Sequence, residues 1–196
     1  MIGLLIIITG ANVDSIPEDI PAISALTVHQ PHAWSIGHAG CRIINRDWRP
    51  PPYVAGQMIA IHAGKRWSRS EKINASALAC QLHPQITVPL GAEGYKLGMV
   101  IAVARVIGFV DRDLRPERGP YTFDTKTSLG YVCVGGRFNE KELNDIVNSP
   151  WFKGPCAWLL SDIQSLEEPI EVRGFQKLWR LPGPAALALA TQVNIT

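Results

Sequence analysis

The sequence predicts a single α+β domain built around a β-sheet. Its 196 residues, 46% of them hydrophobic, are enough for one buried core and hardly enough for two. The 17 glycines and 15 prolines follow no regular period, which is typical of a sheet with many turns. A nearly uninterrupted apolar run at 97–110 has the composition of a strand buried on both faces. We therefore expect one compact domain rather than a helical bundle.

Local patterns predict further strands around this run. The segments "ALTV" at 25–28 and "QMIAIH" at 57–62 mix apolar and β-branched residues, as half-buried strands do. Lys65, Arg66 and Trp67 are expected just past the end of the second strand. Other strands are expected within 129–134, 149–160 and 169–181, with the turn-prone segment "SDIQSLEEP" between the last two.

Capping signals and prolines predict the helices. Pro31 opens a first helix, where its missing amide costs nothing, and Gly40 ends it. Capping boxes, in which a polar residue precedes a glutamate by three positions, predict helices that start near 68 and near 139. The former should end at Pro84, and "PGPAALALA" near the end of the sequence predicts a short final helix.

The composition argues against several classes of protein. The apolar run at 4–8 is too short to span a bilayer, and no basic segment precedes it, so we expect neither a membrane anchor nor a signal peptide. The cysteines lack the paired spacing of zinc and redox motifs, and we expect reduced thiols in the core: Cys41, Cys80, Cys133 and Cys156. These features favour a cytoplasmic protein with no membrane partner and no cofactor.

Positive charge is concentrated in one part of a nearly neutral chain. Between 42 and 72, seven basic residues stand against two acidic ones, which gives +5, whereas the whole chain is only +2. Trp48, Tyr53 and Trp67 lie in the same window. Arginine beside exposed aromatic rings suits phosphate pairing and base stacking. The alternative is an ordinary solvated face with the tryptophans turned into the core, which we expect for Trp34, Trp158 and Trp179.

Three histidines close in sequence raise the question of a metal site. His29, His32 and His38 are of the residue type that zinc prefers, but Pro31 breaks a regular helical presentation between the first two. No cysteine or carboxylate stands at ligand spacing around them. We therefore expect no metal.

Several short segments occur in an order that resembles a known family. They are "ALTVHQPHAW", "INRDWR", "IHAGKRW", "GMVIAVARVIGFV", "GPCAWLL" and "PIEVRGFQKLW". In this order they resemble the ASCH (activating signal cointegrator homology) domains of the PUA-like superfamily. The resemblance implies a PUA-like small bent β-barrel flanked by short helices, which often faces RNA. It covers most of 24–181, with insertions near 69–96 and 111–149; residues 1–23 are then an extension or first strand, and 182–196 a C-terminal tail.

The sequence departs from the family at its usual pocket pattern. The positions that hold glycine, lysine, glutamate and arginine in the family fall here on Ala39, Cys41, Ile44 and Arg46. Isoleucine supplies neither a proton nor a charge, so the resemblance does not carry catalytic residues over. Cys41 as a nucleophile, or Asp47 as a substitute carboxylate, remains an alternative. Whether the chain is an enzyme is left open.

The leading hypothesis is an RNA- or nucleotide-binding domain with a basic-aromatic cleft. Arg46, Arg49, Lys65 and Arg66 would hold phosphate, and Trp48 or Trp67 would stack on a base. Paired donors and acceptors on two amides would read a base edge. The candidate site residues are Gln30, Asn45, Arg46, Trp48, Arg49, His62, Lys65, Arg66 and Trp67.

Two alternatives from other classes accompany this hypothesis. One is a hydrolase of modified nucleosides or RNA with a divergent catalytic set, for which a titratable group beside Arg46 would be needed. The other is a protein-interaction module, for which an exposed apolar patch in 111–149 would be the sign.

Overall fold

The fold is an α+β arrangement of one mixed sheet and short helices. The computed structural model describes residues 22–67, 79, 84–89, 91–111, 125–126, 132–134 and 138–193. Within these ranges the strands are β1 (Ser24–Gln30), β2 (Ile43–Arg46), β3 (Met58–Trp67), β4 (Met99–Asp111), β5 (Thr125–Lys126), β6 (Val132–Val134), β7 (Cys156–Glu171) and β8 (Leu178–Arg180). The helices are α1 (His32–His38), α2 (Glu140–Val147) and α3 (Gly183–Ala190), with single 3₁₀ turns at Pro52–Val54 and Ala92–Gly94.

Some expectations lie outside the described residues. They concern residues 1–21, the helix expected from 68 to 84 apart from the buried, helical Ala79, and Cys80. In the described part of the chain, no helix is both long enough and apolar enough to cross a membrane.

The sheet follows the order β2-β7-β4-β3-β1-β8, and β6 pairs with both β4 and β5. Among the strands that the structure describes, β1 and β3 form the only parallel pair. The α+β class predicted from the sequence is confirmed. The closed barrel is not, because the end strands β2 and β8 do not pair with each other within the described sheet. These strands have only four and three residues, too little for a ladder that would close it.

The apolar run at 97–110 forms β4, as predicted, and almost all of it is buried. The expected turn at 161–168 is wrong, because β7 runs through it as one strand of 16 residues. The polar segment stays within the strand because its pairing with β4 contains register shifts, and Asp162 there has a φ of 47°. Tertiary pairing thus overrides local turn propensity, and the bulges bend the sheet.

The boundary expected after 57–62 is also wrong. Strand β3 continues to Trp67, so Lys65, Arg66 and Trp67 belong to the strand. Pairing with β1 explains the extension, since Gln30 at the end of β1 lies opposite Trp67.

The helices follow their capping signals. Helix α1 ends at His38, and Gly40 adopts a φ of 64°, which glycine accepts readily. Helix α2 begins with the expected capping box, in which the Glu142 amide donates to Asn139 and the Asn139 amide donates to the Glu142 carboxylate. Helix α3 is the final helix expected near the end of the sequence.

The core has two parts. The larger one packs α1 against the sheet and contains Trp34, Trp158, Cys41, Cys133 and Cys156, all buried. The smaller one packs α3 against the sheet through Ala185, Ala186 and Leu189. Trp179 packs only half-buried against this second cluster.

Trp158 anchors the larger core, and its removal should destabilise the whole domain. Its ring is 0% exposed, lies edge-on to Trp48 with centroids 4.8 Å apart, and donates from Nε1 to the Trp48 carbonyl. We expect Trp158→Ala to lower the free energy of unfolding by about 3–5 kcal/mol, measured by urea denaturation. Tyr53→Ala, at a ring that is 69% exposed, is the matched control and should change it by less than about 0.5 kcal/mol. Similar losses in both variants would contradict this account of the core.

Candidate functional site

Two cavities adjoin at His29, next to the parallel pair β1 and β3. The main cavity has a volume of about 720 Å³. It is lined by Thr27, His29, His62, Gly64, Lys65, Gly98, Glu171, Val172, Arg173, Gly174, Phe175 and Gln176. The side cavity has a volume of about 170 Å³ and is lined by Val28, His29, Pro31, His32, Ile44, Asn45, Arg46 and Lys153.

The segment 172–176, which follows β7, forms one wall of the main cavity. Thr27 and His62 lie opposite each other on β1 and β3, and both hold this segment. The His62 ring donates from Nε2 to the Val172 carbonyl at 3.0 Å, and the Thr27 hydroxyl donates to the Phe175 carbonyl at 2.7 Å. The wall is therefore fixed by side chains of the sheet.

Gly174 makes the close approach of this wall possible. A Cβ at this position would overlap the His62 imidazole and would also stand 2.9 Å from the Thr27 hydroxyl. Burial lowers the pKa of His62, because a ring shielded from water is harder to protonate. Glycine thus lets the backbone cover a neutral histidine.

The side cavity brings together two candidates from the sequence. Arg46 at the end of β2 donates from Nη2 to the Thr27 carbonyl at 2.6 Å. Asn45 uses its amide inside the protein, since Nδ2 donates to the Trp151 carbonyl and Oδ1 accepts from the Lys153 amide. Asn45 therefore holds the loop that carries Lys153 beside Arg46.

His32 is the other polar wall of the side cavity, and it stays neutral. Its Nε2 donates to the Ile43 carbonyl at 2.8 Å. Burial lowers the pKa of His32 to about 4, with further lowering from the positive charges of Lys153 and Arg46. The ring is therefore a neutral wall near pH 7.

The other candidates lie elsewhere. His62 and Lys65 line the main cavity, whereas Arg66 is exposed on β3 and lines neither cavity. Four are engaged within the fold. Gln30 donates to the Lys96 carbonyl and accepts from the Trp34 amide, Trp48 packs on Trp158, Arg49 pairs with Asp111, and Trp67 is half-buried against the core.

Reasoning from the sequence missed several lining residues, and three of them carry a positive charge or an exposed aromatic ring. Arg173 and Phe175 were included in an expected strand, and Lys153 lies in a loop with no motif around it. The glycine at 174 between an arginine and an aromatic residue was the available signal, since glycine within a strand pattern often marks a close backbone approach.

The two positions at which the resembled family has lysine and glutamate are buried in this chain. Cys41 and Ile44 are 0% and 1% exposed. Burial raises the pKa of the Cys41 thiol to about 12, so it is not a thiolate near neutral pH. Asp47 is exposed and lines neither cavity. Among the described residues, no group of three or more histidine, cysteine or acidic side chains could hold a metal ion.

Comparison with known proteins gives structural neighbours only. No protein-family model and no curated protein matches the sequence. The crystal structure of ASCH from Zymomonas mobilis is similar, with 15% identity over 87% of this chain and 94% of that chain, at a TM-score of 0.41. Two mutants of that protein match with 16% and 15% identity over 87% of this chain and 95% and 98% of theirs, again at 0.41. These neighbours carry the family name to which the sequence resemblance points.

The neutrality of His32 predicts a pH-dependent stability. An unfolded histidine binds its proton near pH 6.5, whereas native His32 does so only near pH 4. Between these values the unfolded state holds more protons, so stability is lost as the pH falls, by about 3 kcal/mol at most. His32→Gln keeps a donor but cannot titrate, and its unfolding free energy should fall less between pH 7 and pH 4.5 in urea melts. His29→Gln, at an exposed side chain, is the control. Parallel pH profiles for the wild type and His32→Gln would contradict the assignment.

Proposed function

We propose that this chain binds RNA or a nucleotide-like ligand in the two joined cavities. The observation that carries the proposal is their charge. Arg46, Lys65, Lys153 and Arg173 line them, and Glu171 is the single carboxylate among the lining residues. The cavities thus carry three net positive charges, more than the +2 of the whole chain. Such local concentration attracts a phosphate backbone without a strongly basic protein.

An exposed aromatic ring at the main cavity supports the proposal. Phe175 is 50% exposed, and the guanidinium carbon of Arg173 lies 5.6 Å from the centre of its ring. A planar ring beside an arginine offers a stacking surface for an unpaired base. In this proposal Phe175 takes the role that the sequence suggested for Trp48 or Trp67.

Some candidate residues already bond within the protein and stabilise the fold rather than contact the proposed ligand. Both amides expected to read a base edge, Gln30 and Asn45, bond within the protein. The Arg49 side chain is 15% exposed and pairs with Asp111, itself 8% exposed. The proposed ligand contacts are therefore Arg46, Lys65, Lys153, Arg173 and Phe175, with His62 holding the cavity wall.

The test is fluorescence anisotropy of a labelled single-stranded RNA and of a matching hairpin, titrated with protein at low and physiological salt. Saturable binding that weakens as salt rises, and that favours the single strand, is expected for cations combined with a stacking ring. Absence of binding to either RNA at low salt would overturn the proposal.

Single charge removals should lower the salt dependence. We expect Lys65→Gln and Arg173→Gln each to reduce the steepness of log affinity against log salt by about 0.7 for a single strand, because each removes one phosphate contact. Lys141→Gln is the matched control, since Lys141 is exposed on α2 and lines neither cavity. Unchanged slopes for both cavity variants would exclude these residues as phosphate contacts.

Arg46 should contribute most among the four cations, because it is partly buried whereas the other three are exposed. We expect Arg46→Ala to weaken RNA binding by about tenfold or more, because a charged donor is lost from a partly buried site. Arg46→Lys keeps the charge without the planar fork and should bind with intermediate affinity. Thermal unfolding of both variants checks that the fold survives the loss of the bond to Thr27. Wild-type affinity of a folded Arg46→Ala protein would exclude the assignment.

A further inference from the structure

The side cavity differs from the main one in size. Sites for small molecules have volumes of roughly 300–1,000 Å³, a range that includes the main cavity at about 720 Å³. The side cavity, at about 170 Å³, is smaller than such a site but several times the ~30 Å³ that one water occupies in the liquid. It therefore suits a compact polar group at one end of a longer ligand.

The side cavity also differs in charge. Two cations, Arg46 and Lys153, stand among its lining residues without a carboxylate. His29 and His32 complete the ionisable lining. Burial lowers the pKa of the Arg46 guanidinium, and the nearby, exposed Asp47 partly opposes this. Two cations around so small a space favour an anion with more than one charge.

Arg46 has a donor that the protein does not use. Its Nη2 is bonded to the Thr27 carbonyl, but its Nε is buried and meets no hydrogen-bond partner among the residues that the structure describes. A buried donor without an acceptor is rare and unfavourable. An oxygen of a bound anion in the cavity would satisfy it.

Asn45 holds the backbone of Lys153 near Arg46. The backbone amide of Lys153 donates to Asn45 Oδ1 at 2.7 Å, and Asn45 Nδ2 donates to the Trp151 carbonyl at 2.8 Å. One amide side chain thus fixes both ends of the turn that carries the lysine. Asn45 is a positioning residue for Lys153.

We propose that Arg46 and Lys153 form a receptor for a terminal phosphate monoester of the ligand. The inference rests on the proposed function and names the part of the ligand that enters the side cavity. A terminal phosphate carries about −1.5 to −2 charges near pH 7, compared with −1 for an internal phosphodiester. Two cations therefore favour a phosphorylated end of an RNA strand over its internal phosphodiesters.

The experiment compares one short single-stranded RNA with hydroxyl ends, with a 5′-phosphate and with a 3′-phosphate, by competition anisotropy at pH 7.5. We expect one phosphorylated form to bind at least about fivefold more tightly than the hydroxyl form, the Coulomb gain in water from one more charge at about 4 Å. The comparison of the two ends identifies which terminus enters.

Variants distinguish the terminal-phosphate receptor in the side cavity from the ligand contacts in the main cavity. Lys153→Gln should abolish the preference, because it weakens binding of the phosphorylated forms far more than binding of the hydroxyl form, and Lys153→Arg should keep it. Asn45→Ala should reduce the preference through the displaced lysine. Lys141→Gln should retain it, as a surface control. A preference that persists in Lys153→Gln would overturn the assignment.

The preference should also fall as the pH drops below about 6, where the phosphate monoester takes up its second proton. His32 stays neutral there, because burial has lowered its pKa to about 4. The profile is repeated in His29→Gln, because His29 is an ionisable residue that also lines the cavity. A preference independent of pH in both proteins would contradict recognition of the dianion.

The outcomes distinguish the two proposals. Equal affinity for all three RNAs would overturn the terminal-phosphate receptor and leave RNA binding intact. If no RNA binds, the proposed function fails, and calorimetric titration with inorganic phosphate and a nucleoside 5′-monophosphate then tests the receptor alone. Binding that Lys153→Gln removes would support it, and no heat with either compound would overturn it.

Discussion

The long antiparallel ladder between β4 and β7 positions both the main cavity and the side cavity. The first residues of β7 pair with β2, which ends at Arg46, and the last residues of β7 lead into the segment 172–176. On its other side β4 pairs with β3, which carries His62 and Lys65. Breaks in regular pairing bend this ladder. Both of its ends lead to Thr27 on β1, because Arg46 donates to the Thr27 carbonyl and the Thr27 hydroxyl donates to the Phe175 carbonyl. A change in the β4–β7 register would therefore displace both cavities together.

The distribution of charges follows from this frame. Two arginines are used inside it: Arg49 pairs with Asp111 at the end of β4, and Arg105 pairs with Asp162 at the bulge of β7. The cations that line the cavities form no ion pair of this kind in the part of the chain that the structure describes. Structural pairing thus neutralises charge near the bend and leaves a net positive charge around the two cavities that His29 lines. Net charge alone conceals this division.

The sequence predicts the elements whose local patterns match the final fold, and it misses those that depend on residues far away in the chain. Strand β4 is apolar on both faces, and α2 carries its own capping box, so local rules suffice for both. The turn signals at 161–168 are local too, but pairing with β4 outweighs them. The basic window contains both Arg46 and Arg49, and nothing within it reveals that Arg49 has its partner 62 positions away. The roles of Asn45 and Lys153 likewise depend on a contact across 108 positions.

The ionisable groups beside Arg46 are consistent with the proposed binding of an anion. A general acid or base works best with a pKa near the working pH. Beside Arg46, the buried His32 stays neutral to about pH 4, and the Cys41 thiol stays protonated to about pH 12. Ile44 packs in the core with 1% exposure where a carboxylate would be needed. What remains in the side cavity is permanent positive charge, held in place by Asn45 and Thr27. Arg46 and Lys153 therefore suit the binding of an anion, and His29 is the remaining ionisable wall of this cavity.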